Sequence, residues 1–224
     1  LSEWIAWILT RLELAYGPRT WVPPDPGRTP TDELIGTILS QNTTDTNSGR
    51  AFAALKQRFP DTRELLHLPR LELEATIRVC GLARTKAQYI STTLARFWQD
   101  QQDIEGHFLC AWPPEKAWAY LISLPGIGPK TAACVLMFHC GAPVLPVDTH
   151  VHRVATRLGL IAPSRQRGVA VHQALQAQLQ PEQVYPFHVL LIQHGRQTCK
   201  AQKPRCQACV LREGCVYGQT LTSA

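Results

Sequence analysis

No stretch of this 224-residue chain is apolar for long enough to cross a bilayer, and no basic segment followed by an apolar run opens it. A helical membrane span and a secretory leader are therefore not expected. No run alternates apolar and polar residues over a useful length and no segment repeats, so the fold class predicted is all-α. Also missing is the even scatter of cysteines that marks a small extracellular disulfide scaffold. Of the eight cysteines, Cys80, Cys110, Cys134 and Cys140 stand isolated and read as small buried apolar residues, while the other four crowd into 17 residues. Together these absences predict a cytoplasmic, nucleoid-associated protein. The sequence opens on Leu1 rather than Met, so a native segment is expected ahead of it.

What the chain does have is apolar bulk and positive charge. Apolar residues make up 45%, enough for one large domain or two small ones without covalent staples. The net charge is +6 and the pI about 9.0, which favours an anionic partner without naming it.

Almost every periodic segment is helical. Leu1, Trp4, Ile5, Ile8, Leu9 and Leu12 share one face, and "GPRTWVPPDPG" then breaks regular structure. In "TPTD", Thr29 is a predicted N-cap, Pro30 opens the helix and Asp32 reaches back. "DTRELL" (61–66) reads as a second capping box. Further helices are predicted over 70–80, closed by Gly81, over 84–98, with Ala87, Ile90, Leu94 and Phe97 on one face, and over 130–139. Others run from Thr149 to Leu158 and near 167–179 and 182–194. "GAPVLPV" (141–147) reads as a linker between two lobes.

Three constellations carry chemistry. "LPGIGPKTA" (124–132) places two glycines in a tight turn at a helix start. Its uncovered N–H groups suit a phosphate oxygen, although a plain helix–helix turn uses the same residues. Lys130 follows at once, where a cation is disfavoured by about 0.3–1 kcal/mol. A neutral amine there is a nucleophile able to form a Schiff base; the plainer alternative is a solvated lysine. Eighteen residues on, Asp148 in "PVDTHVHRV" sits where an N-cap belongs, a role compatible with stabilising positive charge on a sugar. Finally, Cys199, Cys206, Cys209 and Cys215 have the spacing C-x6-C-x2-C-x5-C. That pattern suits one metal site, with a [4Fe–4S] cluster, zinc or a disulfide pair all open. Arg196, Lys200, Lys203, Arg205 and Arg212 lie in or beside the loop, able to offset its charge or to face a phosphate backbone.

These segments, with "LSQNTTD" (39–45), "GLARTKA" (81–87) and "HGRQTC" (194–199), resemble endonuclease III, a family of helix–hairpin–helix DNA glycosylases with an iron–sulfur cluster. The resemblance runs from about residue 30 to 217. It implies a six-helix barrel over 29–142, with its helix–hairpin–helix near 115–140. It also implies a cluster lobe built from 1–28 and 143–224, with the [4Fe–4S] loop at 199–215 and duplex DNA in the cleft between. It implies a monomer acting on damaged or abasic duplex DNA in base excision repair. Lys130 and Asp148 take the catalytic places and the four clustered cysteines the ligand places. Gln41, Asn42, Leu82, Gly126, Ile127, Gly128, His150, Lys200, Lys203 and Arg205 fall on DNA-contacting segments, with Leu82 and Asn42 as probes of the gap left by a flipped nucleotide. The implied reaction removes oxidised pyrimidines and cuts the strand by β-elimination.

Two positions depart from the family pattern. Asn42 stands where Gln is common and is one methylene shorter. Pro129 stands where Arg or Lys is common, which removes a donor and a phosphate contact. Two rival readings remain. The related adenine glycosylase branch carries a Glu at the place of Thr37 and lacks the lysine. A catalytically silent DNA-damage binder would keep the turn, the basic loop and the cluster without turnover.

Overall fold

The computed structural model describes residues 2–163 and 168–220. Among these, no strand forms. The elements are α1 (Ser2–Tyr16), α2 (Pro30–Leu39), α3 (Asp45–Arg58), α4 (Glu64–His67), α5 (Arg70–Thr76), α6 (Ala83–Gln101), α7 (Phe108–Ala111), α8 (Pro114–Ile122), α9 (Pro129–Cys134), α10 (Thr149–Arg157), α11 (Val169–Gln176), α12 (Val184–Gln197) and α13 (Val216–Thr220). No helix among the described residues is long and apolar enough to cross a membrane.

Two compact units result, one from 1–22 with 143–224, the other from 23–142. Residues 23–28, expected with the first segment, belong to the second unit, where Arg28 pairs with Glu33 of α2 at 2.9 Å.

In the 23–142 unit, α2 begins on the predicted capping box. The Thr29 hydroxyl accepts from the Asp32 N–H at 3.1 Å and the Asp32 carboxylate accepts from the Thr29 N–H at 3.2 Å. Such a cap contributes about 0.5–2 kcal/mol. The helix then buries Leu34, Ile35, Ile38 and Leu39 on all sides, against α3, α6 and α9. Each such side chain contributes about 1.5–3 kcal/mol by leaving water. The predicted face of α6 is also buried: Ala87, Ile90, Leu94 and Phe97 are each at most 1% exposed.

Some predicted elements differ. Only half of the 61–66 box forms: Glu64 accepts from the Asp61 N–H, but Asp61 turns to the Arg63 N–H, and α4 has no side-chain cap. The helix over 70–80 stops at Thr76 and resumes as a 3-10 turn, Arg78–Cys80, before Gly81 at φ +69°. The helix over 130–139 is α-helical to Cys134 and a π-turn over Val135–His139. Residue 167, where the next helix was expected to begin, lies outside the described residues, and α11 starts at Val169.

The isolated cysteines separate into two kinds. Cys80 and Cys134 are buried apolar residues, as expected. Cys110 and Cys140 are not; they form a disulfide, their Cα atoms 5.0 Å apart, because α7 and the end of the π-turn lie side by side.

In the other unit, α1 packs on α12. Tyr16 Oη meets His194 Nδ1 at 2.9 Å and Thr198 Oγ1 at 3.0 Å. Trp4 fills the space over Gly214, where any side chain would strike its ring. The first helix is thereby fixed to the cysteine segment.

Candidate active site and cysteine cluster

Within the 23–142 unit, α8 and α9 are joined by Ser123–Gly128 as a helix–hairpin–helix. Gly126 sits at φ +78°, and a Cβ there would drive into the Tyr89 ring. Gly128 is the N-cap of α9, with φ −93° and no side-chain cap, and a Cβ there would meet nothing within 4 Å. The first turn of α9 thus faces open space with its backbone uncovered, the arrangement that accepts an anion. Pro129 opens the helix and Lys130 is its second residue, half-buried.

Ile127, expected among the DNA-contacting residues, has its side chain in the core. Its side chain is 4% exposed and its N–H donates to the Leu124 carbonyl at 3.2 Å, so it anchors the hairpin to the core. Gln41 also turns inward: its Nε2 donates to the Gly126 carbonyl at 3.1 Å and lies 3.4 Å from Thr131 Oγ1. Asn42 and Leu82 stand outward. Both have left-handed backbone, φ +51° and +49°, and Leu82 leaves 57% of its surface in water. Asn42 is not a helix cap; Thr44 caps α3, accepting from the Asn47 N–H at 3.3 Å. Thr37, at the place the adenine branch fills with Glu, is a buried core residue.

Sequence reasoning missed Glu33. Burial holds its carboxyl above the ordinary carboxylate range, and the charges of Arg28 and Lys130 oppose that rise. A half-buried carboxyl therefore lies within electrostatic reach of the Lys130 amine. The signal for it was an acid one residue before the buried Leu34–Ile35 pair.

The other unit carries Asp148 and the cysteines. Asp148 is the N-cap of α10, and its Oδ1 accepts from the Val151 N–H at 2.7 Å. The approach to it is held firmly. Gln176 donates to the Pro143 carbonyl at 2.9 Å and accepts from the Leu145 N–H at 2.6 Å. Buried His188 Nδ1 donates to the Pro146 carbonyl at 2.8 Å. On α10, His150 Nδ1 lies 3.1 Å from Arg153 Nη2.

Cys199, Cys206, Cys209 and Cys215 are free thiols lining one chamber walled by Val154, Leu158, His194, Leu211 and Tyr217. Burial pushes the Cys209 thiol up to about 11, and the other three cysteines add to the rise. Cys215 is raised for the same first reason. Ionising Cys209 and Cys215 calls for a compensating cation, which a bound metal supplies.

Polar groups already approach the sulfurs. Arg157 Nη1 lies 3.3 Å from Cys199 Sγ, the Gly218 N–H 3.4 Å from Cys215 Sγ, and His194 Nε2 3.6 Å from Cys209 Sγ. Among the described residues, no three such side chains converge closely enough to ligate a single ion. The four thiols line one shared chamber, a donor set of the kind that holds a metal site. Lys200, Lys203 and Arg205 stand exposed at its rim, paired with no carboxylate among the described ion pairs.

Residues 35–181 match the HhH-GPD superfamily of base excision DNA repair proteins. Endonuclease III of Sulfolobus acidocaldarius is 35% identical over 190 residues, covering 82% of this chain and 80% of its own length. Endonuclease III of Bacillus subtilis is 34% identical over 190 residues, covering 85% and 82%. A solved structure of a trapped endonuclease III–DNA covalent intermediate superposes with a TM-score of 0.81 at 29% identity, over 99% of both chains.

Proposed function

The chain belongs to the HhH-GPD superfamily of base excision DNA repair proteins, and on that premise we propose that it is a bifunctional DNA glycosylase and abasic-site lyase. The observation that carries this is Lys130: a half-buried amine at the second position of α9, directly behind an uncapped glycine hairpin. The hairpin backbone at Gly126 and Gly128 takes the DNA phosphates, with Lys200, Lys203 and Arg205 as a basic rim. Leu82 and Asn42 enter the duplex where the target nucleotide is flipped out.

The neutral Lys130 Nζ attacks C1′. The C1′–N bond breaks, and its electron pair leaves with the base, which takes up a proton. The sugar ring then opens, O4′ departing as a hydroxyl, to give a protonated imine between Nζ and C1′. Loss of a C2′ proton expels the 3′ phosphate and cuts the strand. Water hydrolyses the imine and returns the amine.

Asp148, held by its capping bond, stabilises positive charge developing on the sugar. Glu33 lies within electrostatic reach of Lys130, whose charge works against the rise that burial imposes on the Glu33 carboxyl. Cys199, Cys206, Cys209 and Cys215 hold a [4Fe–4S] cluster that fastens the C-terminal loop. Oxidised pyrimidines are the substrate class, in duplex DNA, and the protein acts as a monomer. A turnover panel of duplexes bearing an oxidised pyrimidine, uracil or an abasic site tests this. Base release and strand cutting are expected on the first, and cutting alone on the last. Binding of all three without turnover would leave the silent damage binder.

A further inference from the structure

Three loops of the 23–142 unit are tied to the start of α6. One leaves α2 at Leu39 and reaches Asn42; one leaves the 3-10 turn at Cys80 and reaches Leu82; the third is the hairpin at Gly126. Lys86 sits in the first turns of α6 and is 1% exposed. An ammonium has three donors and is costly to bury unpaired. Its Nζ donates to the Leu39 carbonyl at 2.8 Å and the Cys80 carbonyl at 2.9 Å. Both carbonyls end helical segments, where no intrahelical partner exists. The Lys86 backbone N–H donates to the Leu82 carbonyl at 3.0 Å. One residue therefore grips the root of each probing loop and the tip of one of them. Gln41 and Tyr89 extend the tie to Gly126, the first by its hydrogen bond and the second by packing its ring there.

The tips themselves are strained. Asn42 and Leu82 both lie in the left-handed region, which costs Leu82 about 1–2 kcal/mol and Asn42 less, since Asn adopts it more readily. Strain of this kind persists where the surroundings over-determine the backbone. Filling the core does not call for a lysine here, since a methionine of similar length would pack at lower desolvation cost.

We propose that Lys86 is a positioning residue that locks the Asn42 and Leu82 loops into one rigid double wedge for opening the duplex at the damaged nucleotide. This rests on the reading above that these two residues enter the gap. Loops pushed against stacked bases splay unless their roots move together, and the buried cation joins the roots.

The test compares single-turnover base release from a duplex with the damaged nucleotide paired and from one with it unpaired in a bulge, which needs no wedge. Lys86→Met is expected to slow release from the paired substrate by about 10- to 100-fold and to leave the bulged substrate nearly unchanged. Leu82→Ala should show the same selectivity, and adding Lys86→Met to it should slow release little further. Equal slowing on both substrates, or full additivity with Leu82→Ala, overturns the proposal. If Lys86→Met does not fold, Lys86→Arg keeps the buried charge but sets a planar fork where one ammonium meets two carbonyls. A wild-type ratio of paired to bulged rates in that variant also overturns the clamp. A wild-type protein that releases no base from either substrate removes the underlying glycosylase reading instead.

Discussion

Gly126 and Gly128 are two residues apart and are glycine for different reasons, so one substitution at each separates folding from binding. At Gly126 an alanine meets two costs. Its φ of +78° lies in the left-handed region, at about 1–2 kcal/mol for a residue with a Cβ. Its methyl would also enter the Tyr89 ring near its attachment point, where it cannot easily swing aside, and such overpacking costs about 1–3 kcal/mol. Gly126→Ala is thus expected to lower unfolding stability by about 2–5 kcal/mol. In a Tyr89→Ala background only the backbone part, about 1–2 kcal/mol, should remain. Gly128 has φ −93° and ψ 175°, with open space around it. Gly128→Ala should leave stability unchanged or raise it by about 0.4–1 kcal/mol, yet cover the uncapped end of α9 and weaken DNA binding about tenfold, the worth of one charge-assisted contact. Urea unfolding and DNA titration at fixed salt read both. An equal cost of Gly126→Ala with and without the Tyr89 ring, or wild-type DNA affinity in Gly128→Ala, would refute the reasoning.

Asp148→Asn keeps a good capping residue, so the melting temperature should hold while base release slows; a variant that only unfolds would leave Asp148 as a cap and nothing more. Cys206→Ser should strip visible absorbance and loosen the C-terminal loop, and a colourless wild type carrying zinc would overturn the cluster assignment. Buried His172 has its pKa lowered from 6.5 to about 4 by desolvation, so the fold favours its neutral form. That contribution is whole above pH 6.5 and is lost as pH falls toward 4, about 3 kcal/mol in all. In His172→Gln, urea unfolding followed over that window should show a shallower loss of stability, and an unchanged slope would contradict it.

The sequence made legible what rests on local chemistry. The Thr29 capping box, the buried face of α6 and the Asp148 N-cap follow from side chains acting on neighbours a few residues away. Tertiary packing decided the rest. The break at Ile77 and the π-turn after Cys134 carry no breaker residue, and α7 is too short for a periodic signal. The inward turn of Gln41 depends on a carbonyl 85 positions away. Lys86 was open to detection, because it lies one turn before Ile90, on the face that the apolar period marks as buried. Its sequence neighbours carry no sign of the Leu39 carbonyl, 47 positions away, that helps to hold it.

The covalent chemistry assigned to Lys130 is tested most directly by borohydride reduction during turnover on duplex DNA carrying an abasic site. The wild-type protein is predicted to become irreversibly bound to the strand, with the modified peptide containing Lys130, and Lys130→Ala to bind the same DNA without becoming linked to it. Trapping that persists in Lys130→Ala, or wild-type turnover with no adduct, would contradict the account.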